Sequence, residues 1–424
     1  MPKISVILPS LNVRAYINEC VESVINQTLQ DIEIICVDAG STDGTLEELH
    51  RYAAMDSRLK VIISEKKSYG HQVNLGIKAA SGKYIGIVET DDYVSVNMYE
   101  RLYEVAEINN VQIIKADFSR FVGDGEGRVF TPDNILNDEA RYSLVLSPQN
   151  DPKLLTTGFY IWAGIYLRSF LEKNNLLLHE SPGASYQDNG LYFLTFCCAD
   201  RIIFIKEDFY NLRRDNPNSS FHSKEKVYAM CNEYDFIYQF LCKDPIRKQR
   251  FSSAYWYRKY GNYQHTVNRI AFSYRLDFIR RFSDEFKTAQ ENGDLKLDYI
   301  QEKGEHNVNR LMKIIKDPEE YFYEKVFNYS DWRDPENKKQ EVENLTYMYK
   351  SRVYRLKKLK KEIKVLKQSY EYRIGRYATL LPFSLFIFAQ RAIRMLRYFK
   401  QNGPVNTVKR LLEVIKEKDA ADAG

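Results

Sequence analysis

Over its first 116 residues the chain alternates two kinds of segment. Short apolar runs at 4–8, 32–37, 59–63, 84–88 and 111–116 are separated by helix-like stretches near 15–26, 46–53, 73–80 and 96–109. Such alternation predicts βαβ units and an α/β fold built on a mostly parallel sheet flanked by helices. The runs are continuously apolar, as in strands covered on both faces. In sheets of this kind ligands gather just beyond the carboxyl ends of the strands, so the loops that follow the runs are where chemistry is expected.

Three of those loops carry it. The fourth run, Tyr84-Ile-Gly-Ile-Val, passes directly into Glu89-Thr-Asp-Asp92. Hard divalent cations choose oxygen ligands, often one or two carboxylates with water and phosphate completing the shell, so a metal-diphosphate site is expected here. Helix capping by Asp91 or Asp92 is the plain alternative. The first and second runs end in Pro9-Ser-Leu-Asn12 and in Asp38-Ala-Gly-Ser-Thr-Asp-Gly-Thr45. A glycine-bearing loop before a helix lets a ligand approach the backbone, and a carboxylate there can accept from a base or ribose, though for this loop alone a turn and helix cap made by Asp38, Ser41 and Asp43 is the favoured reading. Thr45 with Glu48 fits a capping box, and Ser95 fits the cap of the fourth helix.

Taken in order, these loops together with Gly70-His-Gln-Val-Asn-Leu-Gly76 and Gly82-Lys-Tyr-Ile-Gly-Ile-Val-Glu-Thr-Asp-Asp-Tyr93 resemble a family 2 glycosyltransferase of the bacterial cell-surface polysaccharide type. The resemblance covers roughly the first half of the chain. It implies a GT-A fold, a Rossmann-like sheet with an appended C-terminal helical domain, a nucleotide-sugar donor (UDP-linked), Mn²⁺ or Mg²⁺, and inversion at the anomeric carbon. By position it implies donor contacts from Pro9, Asn12, Asp38, Asn74, Glu89 and Thr90, and metal contact from Asp91. Three positions depart from the family pattern. Ala39 replaces an acid, Glu89 replaces the first Asp of a DxD-type motif, and Val73 replaces an Arg whose phosphate contact is then absent or comes from elsewhere; His71 or Gln72 could supply it, or serve only as helix-start residues.

Further along, Asp188 precedes an apolar helical run, where an N-cap belongs. Inverting transfer also needs a base for the acceptor hydroxyl, and the resemblance puts that acid at Asp188, with Gln187 in place of the usual Glu. The stretch 158–166 is aromatic; Tyr160 or Trp162 could stack on a sugar, but core is the favoured reading. Residues 210–222 read as a polar loop after a strand at 201–205, and resemble the family's closing segment: Arg213 and Arg214 are assigned to the donor diphosphate and His222 to the metal.

The remaining chain sets the organisation. Val227, Met230, Cys231, Tyr234, Ile237, Tyr238 and Leu241 share one helix face, giving domains at 1–223 (transferase), 224–344 (helical) and 345–424 (basic C-terminal region). Residues 352–424 carry 18 Lys and Arg against 6 Asp and Glu, so the overall +5 conceals a basic end. Leu356, Leu359, Ile363, Leu366 and Tyr370 form a two-heptad seam, compatible with a homo-oligomeric coiled coil or a helical hairpin. The apolar run at 377–389 is short and broken by Pro382, so it is expected to rest on an anionic membrane surface rather than span one. No nucleic-acid module is recognisable. The six cysteines lack metal-ligand spacing and the amino terminus lacks a signal-peptide pattern, which leads to the expectation of a cytoplasmic protein, peripheral on the inner face of the membrane.

The expected activity is metal-assisted transfer of a sugar from a nucleotide donor to a hydroxyl of a cell-surface glycan or lipid-linked acceptor. A metal-dependent nucleotidyltransferase and a non-catalytic scaffold remain as rivals. The former would need a basic glycine-rich triphosphate loop near the amino terminus, and none is seen.

Overall fold

The computed structural model describes residues 1–158, 160–217, 226–326, 353 and 356–364. Residues Met1–Val326 form one compact unit and Phe327–Gly424 a second. In the second, residues 356–364 are helical and contain Leu356, Leu359 and Ile363 of the heptad seam. His222, Leu366, Tyr370 and the basic apolar run at 377–389 lie outside the described residues.

The first unit is built on a mixed sheet. Strands β1 (Ile4–Ser10), β2 (Ile32–Asp38), β3 (Leu59–Ile63) and β4 (Tyr84–Ile87) pair in parallel in the order β3-β2-β1-β4. The order then continues through β9 (Gly164–Leu167), β6 (Ile113–Val122), β10 (Ile202–Arg213) and β5 (Tyr93–Val94). β6 and β10 are parallel to each other, while β9 enters antiparallel between β4 and β6. Two further strands, β7 (Val129–Asp133) and β8 (Val145–Leu146), pair antiparallel with β6 and β10. The α/β class is therefore borne out, and antiparallel pairing is concentrated in the second half of the sheet.

Helices α1 (Ile17–Ile25), α2 (Thr45–Met55), α3 (Tyr69–Ala79) and α4 (Met98–Asn109) connect the first five runs as the alternation requires. Their starts differ from the capping expectations. α2 opens after Gly44 at φ 95°, a left-handed position suited to glycine, and Asp43 rather than Thr45 accepts from the first helical N–H. Thr45 instead accepts from Val13 N, fastening the first loop to the second. α4 follows Asn97, and its Tyr99 N–H is taken by Gln27 from the end of α1, not by Ser95. α3 starts four residues earlier than periodicity suggested because Ser68 caps it by accepting from His71 N.

After the short α5 (Arg168–Lys173) come α6 (Gln187–Cys198), α7 (Ala229–Cys242), α8 (Pro245–Arg269) and α9 (Phe272–Glu291). Met230, Cys231, Tyr234, Ile237 and Leu241 are buried along α7 as their spacing predicts. They join an aromatic core with Tyr255, Tyr263, Phe278, Phe282 and Phe286 from α8 and α9. Within it the buried Lys259 is neutralised by Glu285 at 2.9 Å. The helices from Ala229 to Val326 thus belong to the same compact unit as the sheet. All six cysteines are unpaired.

β9 is squeezed between two strands, and Gly164 is what allows it. A Cβ there would sit 2.0 Å from the carbonyl oxygen of Ile114 and 2.8 Å from Cδ of Lys115. Gly164→Ala is expected to destabilise the protein by about 1–3 kcal/mol or more, read as a lowered urea midpoint with an unchanged slope.

Candidate active site

The carboxyl ends of β4 and β10 meet the start of α6 around a cavity of about 420 Å³. It is lined by Tyr69, Glu89, Asp91, Asp92, Arg120, Tyr160, Trp162, Ala184, Ser185, Tyr186, Gln187, Asp188, Leu212, Arg213, Arg214 and Arg269. Of the residues singled out in the sequence, Glu89, Asp91, Asp188, Arg213 and Arg214 are brought together here. Pro9, Asn12, Asp38, Asn74 and Thr90 are not among its lining residues.

The acidic turn after β4 divides its labour by burial. Asp92 is buried and accepts from Arg213 N at 2.7 Å and from Tyr210 Oη at 2.7 Å, which joins the turn to β10. Burial, then the neighbouring Asp91, pushes its carboxyl well above the usual range. Glu89 accepts from Tyr69 Oη at 2.8 Å, and burial together with Asp91 raises it to about 8. Asp91 is only partly buried and accepts from Asn216 Nδ2 at 2.8 Å.

No group of three or more His, Cys, Asp or Glu side chains is arranged to hold a metal among the described residues. Asp91 nevertheless suits the sparse protein ligation of Mg²⁺ or Mn²⁺ with a diphosphate, where one carboxylate suffices. Crowding of Glu89 and Asp92 against Asp91 is the electrostatic setting a cation would relieve.

Arg213 ends β10, so residues 210–213 are strand rather than the start of a loop. Its guanidinium is buried between Tyr16 and Phe121 and paired with Glu19 at 2.8 Å, Asp124 at 3.3 Å and Asp215 at 3.5 Å. A phosphate there would compete with three carboxylates. Arg214 donates its backbone N–H to Phe121 and lines the cavity.

The loops after β1 and β2 are cross-tied. The buried Asp38 accepts from Ser10 Oγ, Gly40 N, Ser41 N and Ser41 Oγ at 2.6–2.9 Å, so its carboxylate anchors the loop. Asn12, at φ 55°, accepts from Thr42 N, and Thr90 Oγ1 donates to Pro9 O. In α3, Gln72 donates to Ser10 O and Val37 O, while His71 sits between Glu65 and Glu180, so both side chains are already engaged by the protein. Asn74 brackets residue 178, donating to Leu178 O and accepting from Leu178 N. With Ser68 donating to Ser181 O, α3 thereby fixes the strap that leads to Asp188.

Asp188 is the second residue of α6; the cap position is Tyr186, at φ 68°, and no side chain caps the helix. The expectation of Asp188 as N-cap is corrected accordingly. Gln187 donates from Nε2 to Ser181 Oγ and Gly183 O, so its amide is engaged by the strap before α6. Asp188 accepts from Asn189 Nδ2 at 3.1 Å, and burial pushes its carboxyl up to about 6.

Across the cavity, Trp162 stacks on Tyr210 at 4.1 Å and Phe118 meets both Tyr160 and Trp162 edge-on, so this stretch is core and cavity wall at once. Sequence reasoning passed over Tyr69, Arg120, Tyr186 and Arg269. Tyr69 was adjacent to a motif already noted; Arg269 ends a long helix and carried no local signal.

Residues 5–171 match the model of glycosyl transferase family 2. The glycosyltransferase EpsJ of Bacillus subtilis (strain 168) is 37% identical over 224 residues, which are 52% of this chain and 63% of EpsJ. The chain thus spans less than two thirds of that relative. Glycosyltransferase GlyG of Streptococcus pneumoniae serotype 4 is 31% identical over 216 residues, 50% of this chain and 70% of GlyG. Among solved structures, S. aureus TarS 1-349 in complex with UDP superposes with a TM-score of 0.54 at 17% identity, covering 77% of this chain and 93% of that one. That likeness concerns the fold.

Asp92 and Asp91 are expected to separate on substitution. Asp92→Ala strips the acceptor from Arg213 N and Tyr210 Oη, and should cost about 2–3 kcal/mol in denaturant unfolding. Asp91→Ala should leave the unfolding midpoint nearly where it was.

Proposed function

The chain belongs to glycosyl transferase family 2, and from that premise we propose that it moves a sugar from a UDP-linked donor to a hydroxyl group, with inversion and with Asp188 as general base. The observation that carries this reading is the meeting, around one cavity, of the acidic turn holding Asp91 and the start of α6 holding Asp188. A diphosphate leaving group belongs on the Asp91 side and an acceptor hydroxyl on the Asp188 side. The choice of uridine draws on the TarS neighbour solved with UDP.

A bound Mn²⁺ or Mg²⁺ would neutralise charge on the departing diphosphate. Asp91 would hold it, and the protein's own groups do the rest. Glu89, fixed by Tyr69, borders the same end of the cavity. Asp188 takes the acceptor proton as the acceptor oxygen bonds to the anomeric carbon. The bond from that carbon to the diphosphate breaks on the opposite face, and its electron pair leaves with the diphosphate. One displacement inverts the configuration. A base raised to about 6 remains ionised at neutral pH while being a better proton acceptor than an ordinary aspartate.

Tyr160 and Trp162 offer aromatic faces to a sugar ring on the acceptor side. A cell-surface glycan or lipid-linked acceptor fits this wall and the basic C-terminal sequence, which would bring the protein to the inner face of a membrane. No helix among the described residues is long and apolar enough to cross one. A triphosphate-using nucleotidyltransferase is disfavoured by family membership and needs no Asp188.

Nucleotide diphosphate release from a panel of nucleotide sugars, with Mn²⁺ and an oligosaccharide acceptor, tests the reading; a protein inactive with every donor while binding none of them would overturn it. Asp188→Asn is expected to lower kcat by about 10²- to 10⁴-fold while leaving Mn²⁺-dependent UDP binding intact. Asp91→Ala should lose both. With Asp188 protonated below its pKa and unable to accept, kcat should fall as pH drops through about 6 and level off above it.

A further inference from the structure

Asp188 is the last member of a chain of side-chain amides that begins in the helices beyond the sheet. Asn189, buried in the first turn of α6, donates from Nδ2 to Asp188 Oδ1 at 3.1 Å and to Tyr186 O at 3.3 Å. Its Oδ1 accepts from Asn262 Nδ2 of α8 at 3.0 Å. Asn262 Nδ2 also donates to Tyr234 Oη of α7 at 2.8 Å, and Tyr234 is fully buried.

The direction of this chain matters more than its length. An amide presents donors on one side and an acceptor on the other, so Asn262, by presenting its NH₂ to Asn189 Oδ1, obliges Asn189 to turn its own NH₂ toward Asp188. A flipped Asn189 would set two NH₂ groups against each other at Asn262 and an oxygen against the carboxylate. We infer that Asn189 and Asn262 are positioning residues that hold the Asp188 carboxylate as a hydrogen-bond acceptor at the cavity wall, so that α8 takes part in setting the base. The inference rests on the reading of Asp188 as that base.

The surroundings make such a donor necessary. The other titratable groups facing Asp188 are Tyr69, Tyr166, Tyr186 and Tyr234 and the acids Glu89 and Glu233. Arg269 lines the same cavity and lies over the Tyr186 ring at 4.9 Å. Burial opposes charge on Asp188, while the donors from Asn189 favour it.

The test is Asn262→Leu, which keeps the bulk at a partly exposed site and removes the donor, with Asn189→Leu and the double variant beside it. Donor KM, kcat against pH and the thermal midpoint are measured for each. Loss of the orientation is expected to lower kcat at pH 6 about ten-fold in Asn262→Leu, with donor KM within about two-fold. The acid limb of the kcat profile should move up by about half to one pH unit, in line with one lost hydrogen bond to the charged form. Asn189→Leu should move it the same way, and the double variant no further, because the two act through one contact. An unmoved acid limb in Asn262→Leu, or additive shifts in the double variant, would reject the relay. Asn262→Leu decides by itself if Asn189→Leu does not fold. Full turnover by Asp188→Asn is the separate result that removes the base assignment.

Discussion

Much of this site hangs on one buried carboxylate that is taken up by the protein's own donors. Asp92 joins the turn after β4 to the end of β10 through Arg213 N and Tyr210 Oη. From there the constraint spreads. Tyr210 is a ring on which Trp162 stacks, and its hydroxyl also accepts from Glu89 N. Arg213 donates from Nε to Asp91 O and pairs with Glu19 at the start of α1. The acidic turn, the aromatic wall and the first helix are therefore placed relative to one another by contacts that run through a single residue. Removing a fully paired buried carboxylate leaves two donors stranded, which is why so small a group has so long a reach.

A second set of ties serves the other side of the cavity. The motif at 70–76 contributes no lining residue, yet it places the strap before α6. Gly70 lies so close to residue 179 that a Cβ would be 2.1 Å from its carbonyl oxygen, and Asn74 and Ser68 bind the backbone at 178 and 181. The Asp188 side is therefore held from α3 through the backbone and from α8 through Asn262. A motif that looks like a ligand contact in sequence acts here as a bracket for the segment carrying Asp188.

This contrast explains what the sequence could reveal. The first four strands and the acidic turn were legible because continuous apolar runs and an abrupt change to carboxylates are local signals. The antiparallel insertion of β9 was not, since its partners are about 50 to 80 residues away in sequence and only the fit of Gly164 against Ile114 decides it. Asp38 and Asp91 look equally available as letters. One proves saturated by four donors within its own loops, whereas the other borders the cavity. Asn262 sits mid-helix in a stretch with no motif, and only the approach of α8 to α6 gives it Asn189 as a partner.

Four carboxylates within one small region would repel one another strongly if all were charged and alike, and the fold resolves this by making them unlike. Asp92 is consumed by two donors, and Glu89 is raised to about 8 against a tyrosine hydroxyl. Asp188 is set apart at the start of a different helix, where amide donors limit its rise to about 6. Asp91 borders the cavity only partly buried, and under the proposed function it is the acid of the four that would meet a cation. Separating the acids by burial and by partner, rather than by distance alone, is what the proposed transfer would need, since a departing diphosphate and an acceptor proton make different demands on them.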